Sequence, residues 1–245
     1  DFVLYVTCWR GMNSTDPAIA DYFGDKGIEK TASVLKYAKS KGVTVVFQSI
    51  EDPLNYARFL PLAKISDYIF TTGLESIPDY QKDCSNEKAF LLTYGVNPEI
   101  HNPIGFLSNG AKKRRSKSSA FFAGSWYPDQ EKRCKSTELL FDGVIGSDSD
   151  LFVADRHFFD SNKWYWRFPE RYDKCLVPAL DHYTLQKVHK LFDYTINLNT
   201  VIDSKTMCAM RVYEVQALGG LLISNCALSV GLKFPGVFQV PNRSA

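Results

Sequence analysis

The chain has 245 residues, of which 45% are hydrophobic and 14% aromatic, and its formal net charge is +2. This length and apolar content suit one large or two modest globular domains, and they exclude an intrinsically disordered chain. The small net charge argues against a nucleic-acid-binding protein. No apolar run approaches the ~20 residues that a membrane-spanning helix needs, and no signal peptide is visible, so a cytoplasmic location is expected.

The metal-binding residue types are scattered along the chain. The six cysteines include no Cys-x-x-Cys pair, and the four histidines lack metal-ligand spacing. Zinc sites need closely spaced ligand pairs, and disulfide frameworks are typical of short secreted chains. The sequence therefore predicts reduced cysteines, no metal site and no cofactor.

Strands and helices are predicted to alternate in the N-terminal half. Continuous apolar runs predict strands at 2–7, 43–47, 67–72 and 89–92. Helical apolar spacing predicts helices over 28–41, closed by Gly42, and over about 56–64. Alternation of this kind indicates an α/β fold with a parallel sheet.

The alternation restarts in the C-terminal half. Strands are predicted at 120–124, 151–154, 194–198 and 221–224, and the C-terminal stretch 236–241 is also strand-like. Helices are predicted at 128–140, at 182–192, and from about Met207 to a glycine stop at Gly219. Two strand–helix series predict two Rossmann-like domains that face each other across a cleft.

A basic segment separates the two series. The predicted domains are residues 1–110 and 119–245, joined by a linker over 111–118 that contains the run 112–117. Two interpretations of this run remain open: a solvated linker, which the preceding Ser-Asn-Gly favours, or a contact with an anionic membrane surface at the inner face or with a polyanionic acceptor. Both chain ends are strand-like, which predicts that each domain is partial and that the chain is a fragment of a longer protein.

Ligands of open parallel sheets bind beyond the carboxyl ends of the strands, so the loops there hold the candidate site residues. Gly124, Ser125 and Trp126 follow one predicted strand. Glycine lets the backbone approach a diphosphate, and the next helix offers free amides at its N-terminus. The absence of Gly-x-Gly-x-x-Gly and of Gly-Lys-Ser/Thr argues against NAD-type and P-loop chemistry.

Other loops at the same edge carry polar or aromatic residues. Asp155 and Arg156 follow a second strand, where a surface turn with an ion pair and a ligand contact are both open. The loop 199–206 leads toward Met207, and within it a helix cap at Asp203 or Ser204 competes with a phosphate contact. The aromatic segment 162–170 suits either core packing or the stacking of a nucleobase or sugar.

Charged residues supply the remaining candidates. Asp52 follows the most apolar strand, where a carboxylate is placed either to accept a proton from an acceptor hydroxyl or to cap a helix. Arg211 and Glu214 are three residues apart and therefore adjacent on one helix surface. A cation beside a carboxylate near a helix start suits a ligand with both phosphate and hydroxyl groups, as in a nucleotide sugar.

The chain resembles the group 1 glycosyltransferases of the spore-maturation-protein-like branch, which have the two-domain GT-B fold. The segments that together carry the resemblance are 49–56, 67–72, 97–103, 122–127 and 211–219, with Asp155–Arg156 and Asp203–Ser204. The resemblance covers nearly the whole chain. It implies a metal-independent glycosyltransferase that moves a sugar from a nucleoside-diphosphate sugar to a hydroxyl of a glycan, polyol or cell-envelope acceptor. The second domain would bind the donor and the first would face the acceptor.

The resemblance also implies roles for single residues. Glu214 would hold the ribose hydroxyls, Arg211 the diphosphate, and the Gly124 loop the phosphates. Many GT-B enzymes have a second glutamate eight positions earlier, where this chain has Thr206. Asp52 then becomes the leading candidate base of an inverting displacement. The predicted donor contacts are Gly124, Ser125, Trp126, Asp155, Arg156, Ser204, Thr206, Met207, Arg211 and Glu214.

Two rival interpretations stay open. One is a sugar-nucleotide epimerase of the same architecture, and the other is a non-catalytic fragment that binds a nucleotide sugar or a carbohydrate. The residue types leave the donor base, the sugar, the acceptor, the stereochemistry and the oligomeric state open.

Overall fold

The computed structural model describes residues 1–7, 25–105, 117–160 and 163–241. The chain divides into two compact units. Unit 1 contains residues 1–94 and 204–207, and unit 2 contains residues 95–203 and 208–245. The domain limits drawn from the sequence, 110 and 119, stay a prediction, and most of the basic linker, residues 111–116, lies outside the described residues.

Unit 1 is built on a four-stranded parallel sheet. Its strands β1 (Phe2–Val6), β2 (Thr44–Ser49), β3 (Tyr68–Thr71) and β4 (Ala89–Leu91) lie side by side in chain order. Helices α1 (Asp25–Ser40), α2 (Tyr56–Ala63) and α3 (Ile77–Cys84) connect them. Aromatic and aliphatic side chains from strands and helices form the buried core, among them Phe47, Phe59, Leu62, Ile69 and Tyr80. Gly42 has a φ of 75°, so the predicted glycine stop after α1 is confirmed.

Unit 2 contains a six-stranded parallel sheet. The strands are β5 (Ser119–Gly124), β6 (Asp150–Asp155), β7 (Leu176–Pro178), β8 (Tyr194–Asn197), β9 (Leu222–Asn225) and β10 (Phe238–Val240). Their order across the sheet is β7-β6-β5-β8-β9-β10, and all adjacent pairs are parallel. Numbered within the unit, this is the 3-2-1-4-5-6 order of the Rossmann fold. The predicted α/β class with parallel sheets is confirmed.

Among the described residues of unit 2, five α-helices accompany the sheet: α4 (Glu131–Gly146), α5 (Lys163–Trp166), α6 (His182–His189), α7 (Met210–Ala217) and α8 (Leu228–Lys233). The largest core cluster of this unit contains Phe122, Phe141, Phe168, Tyr172 and Ile196, all almost completely buried. Within the described residues, every helix is too short or too polar to cross a membrane.

Candidate functional site

In unit 2 the strand order changes direction between β5 and β8, and the region at the carboxyl ends of these two strands is called the crevice below. From β5 the chain proceeds to β6 and β7 on one side, whereas β8 leads to β9 and β10 on the other. Ligands of open parallel sheets bind at such a switch point, because the two connections leave it in opposite directions. The loops that begin after Gly124 and after Asn197 flank this crevice.

The first of these loops has a glycine that a larger residue would disturb. A Cβ atom at Gly124 would lie 2.8 Å from the Phe122 ring, which is completely buried in the core and has little room to move. The next residue, Ser125, is 4% exposed, and its hydroxyl makes no hydrogen bond to any described residue. A buried hydroxyl without a partner is uncommon, and a ligand oxygen would supply the missing one.

Three arginine side chains interact electrostatically beside these loops. The pKa of Arg211 is lowered to about 10, mainly by burial and also by the charges of Arg133 and Arg156, while Glu214 opposes the shift. Burial also lowers the pKa of Arg133, with the charge of Arg156 acting in the same direction. The neighbouring guanidinium charges that help to lower the pKa of Arg211 and Arg133 mark a site with excess positive charge, which an anionic ligand would stabilise.

Hydrogen bonds to backbone carbonyls place Arg211 and Arg156 at the crevice. Arg211, at the start of α7, donates a hydrogen bond to the carbonyl of Ala123 and lies 5.5 Å from the Phe122 ring centroid. The backbone N–H of Arg156 donates to the carbonyl of Gly124 at 3.1 Å. Arg133 lies in the first turn of α4, where a cation opposes the helix dipole.

Arg133 is held by the second loop of the crevice. Its Nη1 donates to the carbonyl oxygen of Leu198 at 3.1 Å and to the Thr200 hydroxyl at 3.0 Å. Asn199, between them, accepts a hydrogen bond from the backbone N–H of Ala209 at 2.8 Å. One three-residue loop therefore positions both Arg133 and the start of α7.

A buried amide network fixes that loop. The side chain of Asn199 donates to the Ser224 hydroxyl at 3.0 Å, and its backbone N–H donates to Asn225 Oδ1 at 2.8 Å. Asn225 returns a hydrogen bond to the carbonyl of Asn199 at 2.9 Å. Because these groups lie at the carboxyl ends of β8 and β9, the crevice is supported by the sheet itself.

Glu214 is the carboxylate of this site. It is 6% exposed, and its Oε1 lies 3.6 Å from Nε2 of His101. With His182, these two residues form a group whose potential metal-ligand atoms lie within 4.8 Å of one another. However, Nδ1 of His101 accepts the backbone N–H of Asn97 at 3.0 Å, so a neutral ring carries its proton on Nε2. A protonated nitrogen has no lone pair for a metal ion, so the group does not fit one.

Ser204, Thr206 and Met207 lie in unit 1. Ser204 Oγ donates to Glu75 at 2.8 Å and accepts the backbone N–H groups of Thr206 and Met207. Thr206 Oγ1 donates to the Thr72 carbonyl at 2.8 Å and accepts the N–H of Leu74 at 2.8 Å. In this conformation the two hydroxyls hold a turn of unit 1, and their assignment as donor contacts stays a prediction.

The same segment explains why α7 begins later than predicted. Ser204 Oγ forms a local turn with the amides of Thr206 and Met207, so neither residue is helical. The helix starts at Met210, and its N-cap, Ala209, has no side-chain cap. The alternative that Asp203 or Ser204 caps this helix is therefore wrong.

Two further predicted contacts have local structural roles. Asp155 is completely buried, and its Oδ1 accepts the backbone N–H of His157 at 2.9 Å, which closes a turn after β6. Trp126 packs against the core, with its ring centroid 5.8 Å from that of Phe168. Both remain predicted donor contacts, and Asp155 also orients the chain that carries Arg156.

The aromatic segment after residue 162 has one of its two predicted roles, core packing, in part. Phe168 belongs to the core, as expected for packing. Trp166 stacks on the His157 ring with centroids 5.0 Å apart, while Trp164 is 79% exposed. Stacking of a nucleobase or sugar by this segment stays a prediction.

Asp52 lies in unit 1 and is completely buried. Its Oδ2 accepts the Thr71 hydroxyl at 2.5 Å, and its Oδ1 accepts the Tyr80 hydroxyl at 3.1 Å. Burial raises the pKa of Asp52, although hydrogen bonds from Thr71, Ser49 and Tyr80 oppose that rise. In this conformation the carboxylate joins the loop after β2 to β3 and α3, and its role as a base stays a prediction.

Sequence reasoning missed Arg133, His101 and Asn199. Arg133 had one usable signal, since a cation in the first turn of a helix is unfavourable unless an anion or another acceptor compensates it. His101 and Asn199 lay within the segments 97–103 and 199–206, but nothing in the sequence singled them out, because each acts through a partner elsewhere in the chain.

No protein-family model and no curated protein matches the chain. Among solved structures, sucrose-phosphate synthase from Thermosynechococcus elongatus matches with a TM-score of 0.52 and 12% identity, over 87% of this chain and 59% of that one. At this identity the likeness shows a shared fold, and it confirms the predicted Rossmann-like fold class of GT-B type.

Two other solved structures match at lower TM-scores. A glycosyltransferase from Rickettsia africae ESF-5 has a TM-score of 0.48 and 12% identity, over 96% of this chain and 70% of that one. A trehalose-6-phosphate synthase has a TM-score of 0.49 and 12% identity, over 82% of this chain and 58% of that one. The chain thus spans well under two thirds of the length of both synthases.

Proposed function

We propose that this chain is a glycosyltransferase that binds a nucleoside-diphosphate sugar in unit 2 and transfers the sugar to a hydroxyl of a glycan, polyol or cell-envelope acceptor. The observation that carries the proposal is the placement of three arginines at the carboxyl ends of β5 and β8. Arg211 donates to the Ala123 carbonyl, the backbone of Arg156 donates to the Gly124 carbonyl, and Arg133 donates to the loop after β8. The buried carboxylate of Glu214 lies on the same helix as Arg211. A diphosphate supplies the missing negative charge, and ribose hydroxyls are natural donors to a carboxylate. The resemblance to group 1 glycosyltransferases supports the same reaction class.

The proposed roles follow the local geometry. The diphosphate would lie against the arginines, close to Gly124, where the lack of a Cβ leaves the backbone accessible. The unpartnered hydroxyl of Ser125 would donate to a phosphate oxygen. Glu214 would accept hydrogen bonds from the ribose.

These groups also suit the chemical step. In sugar transfer, the bond between the anomeric carbon and the diphosphate oxygen breaks, and negative charge develops on the departing nucleoside diphosphate. Fixed guanidinium groups in a partly buried site stabilise that charge without reorganisation. We propose that the arginines fill this role without a metal ion, while the acceptor hydroxyl transfers its proton to a base.

A second candidate function is donor binding without transfer. The observation that favours it is the burial of Asp52, whose two carboxylate oxygens accept hydrogen bonds from Thr71 and Tyr80. A carboxylate enclosed in this way is out of reach of an acceptor hydroxyl. Tight binding of a donor without release of nucleoside diphosphate, with or without acceptor sugars, would identify this function.

The first test is calorimetric titration of UDP-, GDP-, CDP- and dTDP-sugars in EDTA, with Arg133→Gln as the variant. Charge-assisted hydrogen bonds contribute about 1.5–3 kcal/mol, so we expect binding to weaken roughly 10- to 100-fold. Arg171→Gln is the matched control, because Arg171 is half-exposed and pairs with Glu138 at 2.9 Å, an ordinary surface contact of the same unit.

The outcomes of this titration are distinct. Binding of one donor in EDTA, weakened by Arg133→Gln alone, supports the proposed site and its independence of metal. Failure of every donor to bind, or equal affinity of the Arg133 and Arg171 variants, would overturn it. Thermal unfolding of each variant confirms that the protein titrated is folded.

A further inference from the structure

We propose that His101 is a positioning residue for Glu214. Its Nε2–H group would hold the Glu214 carboxylate in the orientation that receives the ribose hydroxyls. This inference rests on the proposed function, because it concerns the carboxylate to which the ribose is assigned.

The two side chains are buried together. His101 is 7% exposed and Glu214 is 6% exposed. Nε2 of His101 makes no hydrogen bond to any described residue, yet it lies 3.6 Å from Glu214 Oε1. A shift of a few tenths of an ångström brings this contact into the range of a charge-assisted hydrogen bond.

The backbone decides which nitrogen of His101 carries the proton. The N–H of Asn97 donates to Nδ1 at 3.0 Å, and the N–H of His101 donates back to the carbonyl of Asn97 at 2.7 Å. This turn fixes the ring and keeps Nδ1 an acceptor. In the neutral ring the remaining nitrogen, Nε2, must then be the donor, and it faces the carboxylate.

The Glu214 carboxylate can accept hydrogen bonds from His101 and from the ribose at the same time. Two carboxylate oxygens offer about four lone-pair positions, so Glu214 accepts one hydrogen bond from His101 and still accepts two from ribose hydroxyls. Without the histidine donor, the buried carboxylate loses its fixed orientation, and its hydrogen bonds to the ribose weaken.

Two substitutions separate this role from a purely structural one. An asparagine at 101 places its side-chain oxygen near the position of Nδ1, so His101→Asn keeps the acceptor for the Asn97 N–H and removes the donor to Glu214. A glutamine places its amide nitrogen near the position of Nε2, so His101→Gln keeps that donor and removes the turn acceptor. The two variants therefore test the two contacts of the ring one at a time.

The measurement is the affinity ratio between a ribonucleoside diphosphate and its 2′,3′-dideoxy analogue, with UDP, GDP and CDP as probes in EDTA. We expect the wild type to prefer the ribonucleotide by about tenfold or more, since the dideoxy analogue lacks both hydroxyls that would donate to the charged carboxylate. Glu214→Gln should abolish the preference. His101→Asn should remove most of it, and His101→Gln should retain it.

Each outcome points to one conclusion. If the wild type binds both members of every pair equally, the ribose assignment of Glu214 fails, and this inference fails with it. If Glu214→Gln abolishes the preference but His101→Asn retains it, the proposed function stands and the positioning role is wrong. Loss of the preference in His101→Gln alone would show that His101 only stabilises the turn.

Discussion

Asp52 is a completely buried charged side chain and Arg211 a partly buried one, and their surroundings differ. Asp52 receives hydrogen bonds from neutral hydroxyls of its own unit, among them those of Thr71 and Tyr80. Arg211 shares its surroundings with two more guanidinium groups and with one carboxylate, Glu214. Protein groups complete the first arrangement, whereas an anion would complete the second. Of these two arrangements, the one with excess positive charge therefore lies in unit 2.

Asp52→Ala tests the structural role of this carboxylate. Its removal leaves the Tyr80 hydroxyl and one hydrogen bond of Thr71 without their acceptor in a completely buried place, which costs about 1–3 kcal/mol per group. We expect the free energy of unfolding to fall by about 2–4 kcal/mol in urea titrations. Asp79→Ala is the matched control, since Asp79 is exposed on α3.

The opposite result, loss of activity without loss of stability, would also be informative. If Asp52→Ala unfolds at the same urea concentration as the wild type but releases no nucleoside diphosphate in a transfer assay, then Asp52 acts in catalysis. In that case the loop after β2 must open to expose it.

At the scale of elements, a buried histidine joins α6 to the sheet of unit 2. Nδ1 of His189 lies 3.0 Å from Thr195 Oγ1 on β8, and its ring makes an edge contact with Phe121 of β5, at 5.1 Å between centroids. Burial lowers the pKa of His189 to about 3, and the charge of Arg211 acts in the same direction. The packing of this helix on the sheet therefore favours the neutral form of the histidine.

The pH dependence of stability follows from that packing. The pKa of His189 is lower in the folded chain than its unfolded value of 6.5, so between these values the unfolded chain binds the extra proton. Stability contributed by the neutral histidine is full above the unfolded pKa and falls as the pH drops below it. We expect unit 2 to lose about 2 kcal/mol between pH 7 and pH 5, since one pH unit corresponds to about 1.4 kcal/mol for one proton.

His189→Gln provides the comparison, because glutamine does not titrate. Denaturant titrations of both proteins at pH 7, 6 and 5 should give a smaller loss for the variant, by about the amount assigned to His189. Equal losses in the two proteins would show that His189 is accessible to protons in the folded chain.

Elements with a continuous apolar run or a clear helical period could be predicted, and short or irregular ones could not. The run Val43–Phe47 predicted β2, which extends from Thr44 to Ser49. Helix α3 was missed because it is short and mostly polar, although Pro78 in its first turn was a usable signal. Strand β7 has three residues and ends at a proline, which leaves no periodicity to detect.

The residues of the candidate site also differ in how far the sequence alone indicates them. Strand–loop–helix order and helical spacing are local properties of the sequence, and they make Gly124, Ser125, Arg211 and Glu214 candidates whose contacts with a ligand stay predictions. His101 could not be selected in this way, because its relation to Glu214 depends on how a turn packs against a distant helix. Local patterns therefore select candidate groups, and the supporting contacts emerge only from the tertiary structure.

For the whole molecule, the important feature is that the two units have separate hydrophobic cores. The core of unit 1 is built from side chains between Val3 and Ala89, and the largest core of unit 2 from side chains between Ala120 and Val240. A ligand that binds only the folded form of unit 2 stabilises that unit by mass action. At about 100 times its dissociation constant, the gain is about 2.7 kcal/mol.

Amide hydrogen exchange can localise this gain. With a saturating nucleoside diphosphate at about 100 times its dissociation constant, we expect the slowest amides of β5 and β8 to exchange about 100-fold more slowly, because they exchange through unfolding of their own core. Amides of β2 and β3 in unit 1 should keep their rates if that core opens independently. Equal slowing in all four strands would show that the two cores unfold as one cooperative system, and slowing confined to β2 and β3 would place the nucleotide in unit 1 and contradict the arginine site. The experiment therefore locates the nucleotide from the stability it confers, independently of any catalytic assay.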